Sequence, residues 1–365
     1  MKENPFKFGS IVDEPYFTDR IQEMEQVKSI IGSQNHLTII SPRRFGKSSL
    51  IMKAASQSNR PLIAIDMQLI TSPSDLAAQI LKRIYRIYPF EKVGQFIKHF
   101  RIIPTISLNP LTNQVDITFL PGSSQVPVLE DVLNLLEKLS TEKKKLLVIF
   151  DEFQETRRVH PDLLRQLRAI MQHHKLINYV FLGSQESLIK EIFERKKSPF
   201  YHFGMIIQLG RIPEADFYNF LVSRLEPVNM NASDLAQEII AYTGCHPYYT
   251  QQLAFVVWDK CYRKSFDSDP VSEAARDLIS VHDMDYERWW MNLNKTDKKL
   301  LIGLSLSNKT PLSEAFYRKY DLGAPSTVFS SIKRLMENGY IIKADAKYEI
   351  DDPFFGQWLK WRREA

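Results

Sequence analysis

The sequence predicts an α/β fold: a parallel sheet with helices on both faces, followed by a helical domain and a C-terminal module of three helices and a hairpin. Three observations carry this. Five short runs rich in β-branched residues are apolar almost throughout, as strands buried on both faces are. Segments of helical periodicity alternate with them. After Gly210 the strand-like runs stop and helical patterning takes over.

The runs, in order, are "HLTIIS" (36–41), "PLIAIDM" (61–67), "KLLVIFDE" (145–152), "INYVFLG" (177–183) and "GMIIQLG" (204–210). Helical segments such as "VLEDVLNLLEKLS" and "PDLLRQLRAIMQHH" lie between them. "RIIPTISLNPLTNQVDITFLPG" (101–122) alternates apolar and polar residues around "NPLTNQ", which predicts a projecting β-hairpin, either a surface ornament or a partner-binding edge. "EADFYNFLVSRL", "ASDLAQEIIAYTG" and "PYYTQQLAFVVWDKCYRK" predict a helical domain over 213–294. "TDKKLLIGLSL", "PLSEAFYRKY" and "STVFSSIKRLMENGYI", then the hairpin pattern "YIIKADAKYEIDDP", give the winged helix-turn-helix arrangement over 295–365. The α/β domain is expected over 1–212.

Composition bounds the function. The chain has 365 residues, 44 % hydrophobic and 25 % charged, which suits a folded protein of two or three domains. A formal charge of +5 is mild at this length and does not by itself imply nucleic acid. Two cysteines, Cys245 and Cys261, make no disulfide framework and fit a reducing compartment. "MKENPFKFGS" has no apolar signal core, and no apolar run approaches the roughly 20 residues of a membrane span. The expectation is a soluble cytoplasmic protein.

"SPRRFGKSSL" (41–50) nearly spells the phosphate loop G-x-x-x-x-G-K-[ST], with Ser41 at the first glycine. Gly-Lys-Ser alone is weak, but here it stands between a buried strand and an amphipathic helix, the setting the motif requires. Loop amides and a helix N-terminus then point at an anion. Lys47 is expected to bridge the β- and γ-phosphates and Ser48 to place its hydroxyl on Mg²⁺. Gly46 lets the backbone approach. Serine at 41 is small, but would be costly if the turn needs φ > 0. Arg43 and Arg44 either add charge near the phosphates or form a solvated tip.

"LLVIFDEF" supplies a strand ending in acids: Asp151 to hold Mg²⁺ and Glu152 to deprotonate the attacking water. The bland alternative is a strand leaving into solvent. "INYVFLGS" ends in Ser184 and Gln185; Ser184 is a candidate to sense the γ-phosphate or hold the water, or marks a plain strand end.

Together these motifs resemble the additional-strand branch of P-loop NTPases, and within it the archaeal and bacterial AAA-like ATPases of the STAND class. The resemblance runs along nearly the whole chain: a lead-in "NPFKFGSIVDEPYFTDRIQEM" with Phe17, Arg20 and Glu23; Pro42 to Leu50 for P-R-R-x-G-K-[ST]-S-L; "DEFQ" at Asp151 to Gln154; "LGS" at Leu182 to Ser184; "TGCHPYY" at 243–249; and the closing Asp352-Pro353-Phe354. It implies a nucleotide site of ATP or ADP with Mg²⁺, built from Ser41, Pro42, Arg43, Arg44, Phe45, Gly46, Lys47, Ser48 and Ser49. Phe17 and Arg20 would lie near the base, with Pro247 against it from the lid. Pro247 also reads simply as a helix breaker.

One departure stands out. Many members of the family it resembles carry an arginine in "SP-[LF]-Y-G-R", whereas "SPFYHFG" (198–204) has His202 and Phe203 there. Arg195, Arg211 or a neighbouring subunit could supply the charge.

Three functions are expected from this: an ATP-hydrolysing switch, a DNA-binding regulator that holds nucleotide, or a nucleotide-gated protein scaffold. The winged helix carries a net +4, and its candidate recognition helix presents Ser326, Thr327, Ser330, Lys333 and Arg334. A protein partner, DNA and an oligomer are all open as partners. A membrane is not expected.

Overall fold

A computed structural model of the chain describes residues 3–18, 20–108, 115–119, 125–307, 310–344 and 347–363. They form two compact units. One comprises Met1–Arg20, Arg43–Gly46 and Gly210–Ala365, the other Ile21–Pro42 and Lys47–Leu209.

The second unit is built on five parallel strands, β1 (Leu37–Ile40), β2 (Leu62–Asp66), β5 (Leu146–Asp151), β6 (Ile177–Gly183) and β7 (Met205–Gln208). All five expected runs are strands. Their order across the sheet is β2-β5-β6-β1-β7. All residues of β1 and β6 are buried, as are the first five of β5. This is why those runs read as continuous apolar stretches rather than alternating ones. Helix Pro73–Ile87 begins with Pro73 at its first position, and Ser72 Oγ caps it by accepting from Asp75 N. It packs on helix Gln125–Leu139, while helix Ile21–Gly32 packs on helix Lys47–Gln57.

The expected hairpin exists as β3 (Thr105–Leu108) and β4 (Val115–Thr118), antiparallel with Thr105 opposite Thr118. Its turn, 109–114, lies outside the described residues, as do positions 120–122. The hairpin does not stand free: Ile117 is buried in the core of the unit, and Asp116 pairs with Lys82 at 2.9 Å.

Among the described residues, the regular elements of the first unit are helices and one antiparallel pair, β8 (Ile341–Ala344) and β9 (Lys347–Ile350). Helices Glu214–Leu225, Ala232–Thr243 and Pro247–Arg263 match the expected lid pattern. Gly244 ends the second of these at φ +58, with its N–H on Ile240 O at 2.7 Å. Helices Lys295–Leu306, Glu314–Lys319 and Pro325–Glu337 with β8–β9 make the winged helix. A further helix, Pro353–Arg363, begins within the "DPF" segment, which sequence patterning did not resolve as one. Asp352 starts it, its Oδ1 accepting from Phe354 N at 2.9 Å and Phe355 N at 3.2 Å. One continuous core joins the lid-type and winged-helix parts, running from Phe217, Leu253 and Val257 to Leu300, Phe316 and Trp358. Cys245 and Cys261 are both buried and free.

Candidate functional site

In the sheet unit, Lys47 opens the helix that follows the loop and is 5 % exposed. Its Nζ donates to Ser41 O at 3.1 Å and Pro42 O at 2.9 Å, so the ammonium is folded back over its own loop. Ser48 Oγ donates to Asp151 Oδ2 at 2.9 Å. That bond joins the helix start to the tip of β5, two stretches 103 residues apart in sequence. Asp151 Oδ1 also accepts from Glu152 N at 2.9 Å. Burial raises the Asp151 carboxyl above its ordinary value, helped by the neighbouring Glu152 and opposed by the Ser48 hydroxyl.

Glu152 sits at φ +50, left-handed backbone that a glutamate seldom adopts. Its Oε2 accepts from Ser184 Oγ at 2.6 Å and Ser184 N at 3.3 Å, and from Gln154 Nε2 at 2.5 Å. Strand β6 neighbours β5, and this brings Ser184, at the end of β6, to the Glu152 carboxylate. Gln154, 2 % exposed, was not singled out from the sequence except as the last letter of "DEFQ". No periodicity or charge pattern marks it.

The loop itself resolves the serine question. Ser41 is fully buried, with its N–H on Gly183 O, and is not among the left-handed residues. The positive φ values fall on Arg44 (+64) and Gly46 (+86). Serine at 41 thus carries no backbone penalty, while Arg44 does. At Gly46 the space a Cβ would occupy is open, so its φ is what requires glycine.

In the helical unit, the loop tip and the lead-in segment meet the "TGCHPYY" turn. Arg44 Nη1 donates to Tyr249 Oη at 2.9 Å, and its guanidinium stacks 4.6 Å over Tyr248. Arg43 is exposed. Phe45, 2 % exposed, meets the His246 ring edge-on at 4.7 Å. Arg20 is 4 % exposed, and its Nη2 donates to Phe45 O at 3.1 Å and Gly210 O at 2.9 Å. Gln251 Nε2 donates to Tyr16 O at 3.2 Å and Thr18 Oγ1 at 3.0 Å, fixing the segment that carries Phe17. Pro247 is the first residue of its helix, and His246 Nδ1 caps that helix by accepting from Tyr248 N. Burial lowers the His246 imidazole, which suits an acceptor at Nδ1. Ser49 is half-buried behind Ser48.

The arginine alternatives separate. Phe203 packs against His36 with ring centroids 4.5 Å apart, and His36 precedes β1, whereas the phosphate loop follows β1. His202 and Phe203 therefore lie at the opposite end of β1 from the phosphate loop, and β1 itself, four residues long, spans about 13 Å at roughly 3.3 Å per residue. Arg195 is paired with Glu191 at 2.6 Å. Arg211 binds Gly244 O and Glu349, the latter at 2.9 Å.

A Gly-Lys-Ser loop between β1 and a helix, an acid-tipped strand β5 and the interposed β6 define a P-loop ATPase. The chain belongs to the family described as an ATPase domain predominantly from Archaea, matched over residues 17–253, and it is an ATP hydrolase. A probable winged helix domain is matched over 284–361. In fold it is similar to the Walker-type ATPase of Pyrococcus abyssi, at 17 % identity and a TM-score of 0.66, covering 98 % of this chain and 99 % of that one. Weaker likenesses are to the Aeropyrum pernix ORC1 protein in complex with DNA (14 %, TM-score 0.48, 95 % and 93 % covered) and to the Thermotoga maritima RuvB Holliday junction branch migration motor (13 %, 0.47, 94 % and 95 %). No curated protein matches the sequence. Among the described residues, no helix is long and apolar enough to cross a membrane.

Proposed function

We propose that this ATPase is a STAND-like switch that binds ATP with Mg²⁺, hydrolyses it slowly, and rearranges its domains according to the nucleotide held. The observation that carries the site is the 2.9 Å bond between Ser48 Oγ and Asp151 Oδ2, with Glu152 next in the chain. A hydroxyl and a carboxylate side by side are hard oxygen donors of the kind Mg²⁺ takes, alongside phosphates and water. They fit that ion, and Ser48 and Asp151 would hold it. When bound it supplies charge neutralisation at the phosphates. Lys47, released from the Ser41 and Pro42 carbonyls, would take up phosphate oxygens. Glu152 would accept the proton of the attacking water while that water's oxygen bonds to the γ-phosphorus and ADP departs with the bridging oxygen's electron pair. Ser184 would hold Glu152. Phe17, Arg20 and Pro247 remain our assignment for the base side of the nucleotide.

Coupling is supported by how the loop tip is held. Arg44 is hydrogen-bonded to Tyr249, Phe45 O accepts from Arg20 and the Phe45 ring packs on His246, so a ligand that shifts the tip must act on those contacts. A nucleotide moves such an equilibrium only as far as it binds one arrangement better. ADP is assigned to the compact form and ATP to the loosened one.

Glu152→Gln tests the chemistry: ATP binding should persist and single-turnover hydrolysis should fall by about 10²–10⁴-fold. Parental turnover would remove Glu152 as the base. Small-angle scattering with ADP, a non-hydrolysable ATP analogue and no nucleotide tests the switch, and superimposable curves would leave a static ATPase. The DNA-binding reading is less favoured, because Arg334 of the recognition helix is engaged with Asp297.

A further inference from the structure

We infer that Gln154 is a positioning residue for ATP hydrolysis: its side-chain amide fixes the Glu152 carboxylate by one oxygen and leaves the other to accept the proton of water. This rests on the assignment of Glu152 as the base. Gln154 lies in the 3-10 turn Phe153–Glu155 just past β5, and is 2 % exposed. Its Nε2 donates to Glu152 Oε2, the same oxygen that takes both the hydroxyl and the N–H of Ser184. The orientation of the amide follows from chemistry, since an ionised carboxylate only accepts and must meet the NH₂ end. Three donors from two elements thus converge on Oε2. With the backbone of Glu152 fixed in its left-handed turn, the carboxylate has little freedom left, and Oε1 is the oxygen able to work.

For the fold, what the Nε2 bond to Glu152 contributes is offset at the other end of the same amide. Gln154 Oε1 is buried without a hydrogen-bond partner among the described residues, and a buried unsatisfied acceptor costs stability. An apolar side chain of the same length would fill the slot without that cost. The slot is also kept clear from the far side: a Cβ on Gly183 would lie 2.8 Å from Gln154 Oε1 and 2.0 Å from Ile189 Cγ1. What the glutamine adds over a hydrophobe is the Nε2 donor on Glu152, and misplacing a catalytic group by about 1 Å can cost on the order of 10²-fold.

The experiment is a double-mutant cycle on the full chain, with Gln154→Met and Gln154→Leu, each alone and combined with Glu152→Gln. Each single variant should lower kcat about 10- to 100-fold, with KM for ATP, the Kd for ADP and the melting temperature held or the melting temperature raised. In the Glu152→Gln background the same changes should have no further effect on single-turnover hydrolysis, because the base they position is gone. Additive losses in the two backgrounds, or an unchanged or increased kcat in the singles, would overturn the inference. If instead Glu152→Gln itself turns over at the parental rate, the assignment of the base fails, which is a distinct result. Should Gln154→Met fail to fold, Gln154→Leu carries the same test.

Discussion

Arg334 holds Asp297 through two guanidinium bonds, Nε at 2.8 Å and Nη2 at 2.6 Å. Asp297 is 2 % exposed and also accepts from Asn294 Nδ2 at 2.8 Å and from the Ser331 hydroxyl. The helix that a winged helix presents to DNA therefore sends its arginine back into the protein.

Arg334→Ala should cost about 1.5–3 kcal/mol, the range for a hydrogen bond to a charged partner, and toward the low end because the Arg334 side chain is 44 % exposed. Denaturant unfolding checks this. A loss under about 0.5 kcal/mol would mean that Ser331 and Asn294 satisfy Asp297 without it. Charge reversal at 334 would report on folding as much as on DNA. Lys333, 69 % exposed, is the position whose reversal probes phosphate contact, and weak, salt-insensitive binding is expected.

Lys47→Ala should weaken ATP binding about 100-fold or more, as loss of a close charge pair does. Calorimetric titration is the measurement, with a melt to establish folding. Two backbone carbonyls now bonded by Nζ would turn to water instead, so the folded state should survive. Unchanged affinity would sink the assignment of this loop to phosphate.

Arg44 makes a paired prediction. Its bond to Tyr249 favours it, while φ +64 opposes it. Arg44→Ala loses the bond and keeps the backbone strain; Arg44→Gly loses the bond and relieves it. The glycine variant should be the more stable of the two by up to about 1 kcal/mol. Tyr249→Phe should cost about 1–2 kcal/mol through the hydroxyl alone. Equal melting of the Ala and Gly variants would show that the left-handed turn at 44 is not strained.

His36 predicts a pH dependence. Burial, with Arg168 and His174 nearby, pushes its imidazole down to about 4 from the ordinary 6.5, and Nδ1 must stay unprotonated to accept from Tyr179 N at 3.2 Å. The unfolded chain takes up this proton first, so stability is lost as pH falls from about 6.5 towards 4, by about 3 kcal/mol in all from this group. His36→Asn keeps an acceptor but does not titrate, and should flatten that part of the profile. An identical acid slope in both proteins would rule His36 out as its source.

What the sequence made legible was whatever is local or repeated. Strands buried on both faces announce themselves through unbroken apolar runs, and the loop, Asp151, Glu152 and Ser184 each stand at the end of one. What was hidden depends on partners distant in the chain. Nothing in "PRR" says that Arg44 meets Tyr249, 205 positions later, or that Arg334 faces inward to Asp297. That the "HF" at 202–203, where an arginine was expected, leads into β7 beside His36 is shown only by the strand register. Gln154 was hidden for a further reason: a polar residue in a turn is ordinary until its burial is known.

The sheet order has a consequence for biosynthesis. β1, the strand that leads into the phosphate loop, pairs with β6 and β7, the nearer of which begins roughly 140 residues further along the chain. A ribosome adding about 5–20 residues per second takes on the order of ten seconds or more to cover that stretch. During that time Leu37–Ile40, wholly buried in the finished protein, has neither neighbour to pair with. A nascent chain shorter than about 208 residues cannot complete the pairing of that strand, so nucleotide cannot stabilise the growing polypeptide early. The interval is when β1 is open to chaperones, or to another unfinished chain.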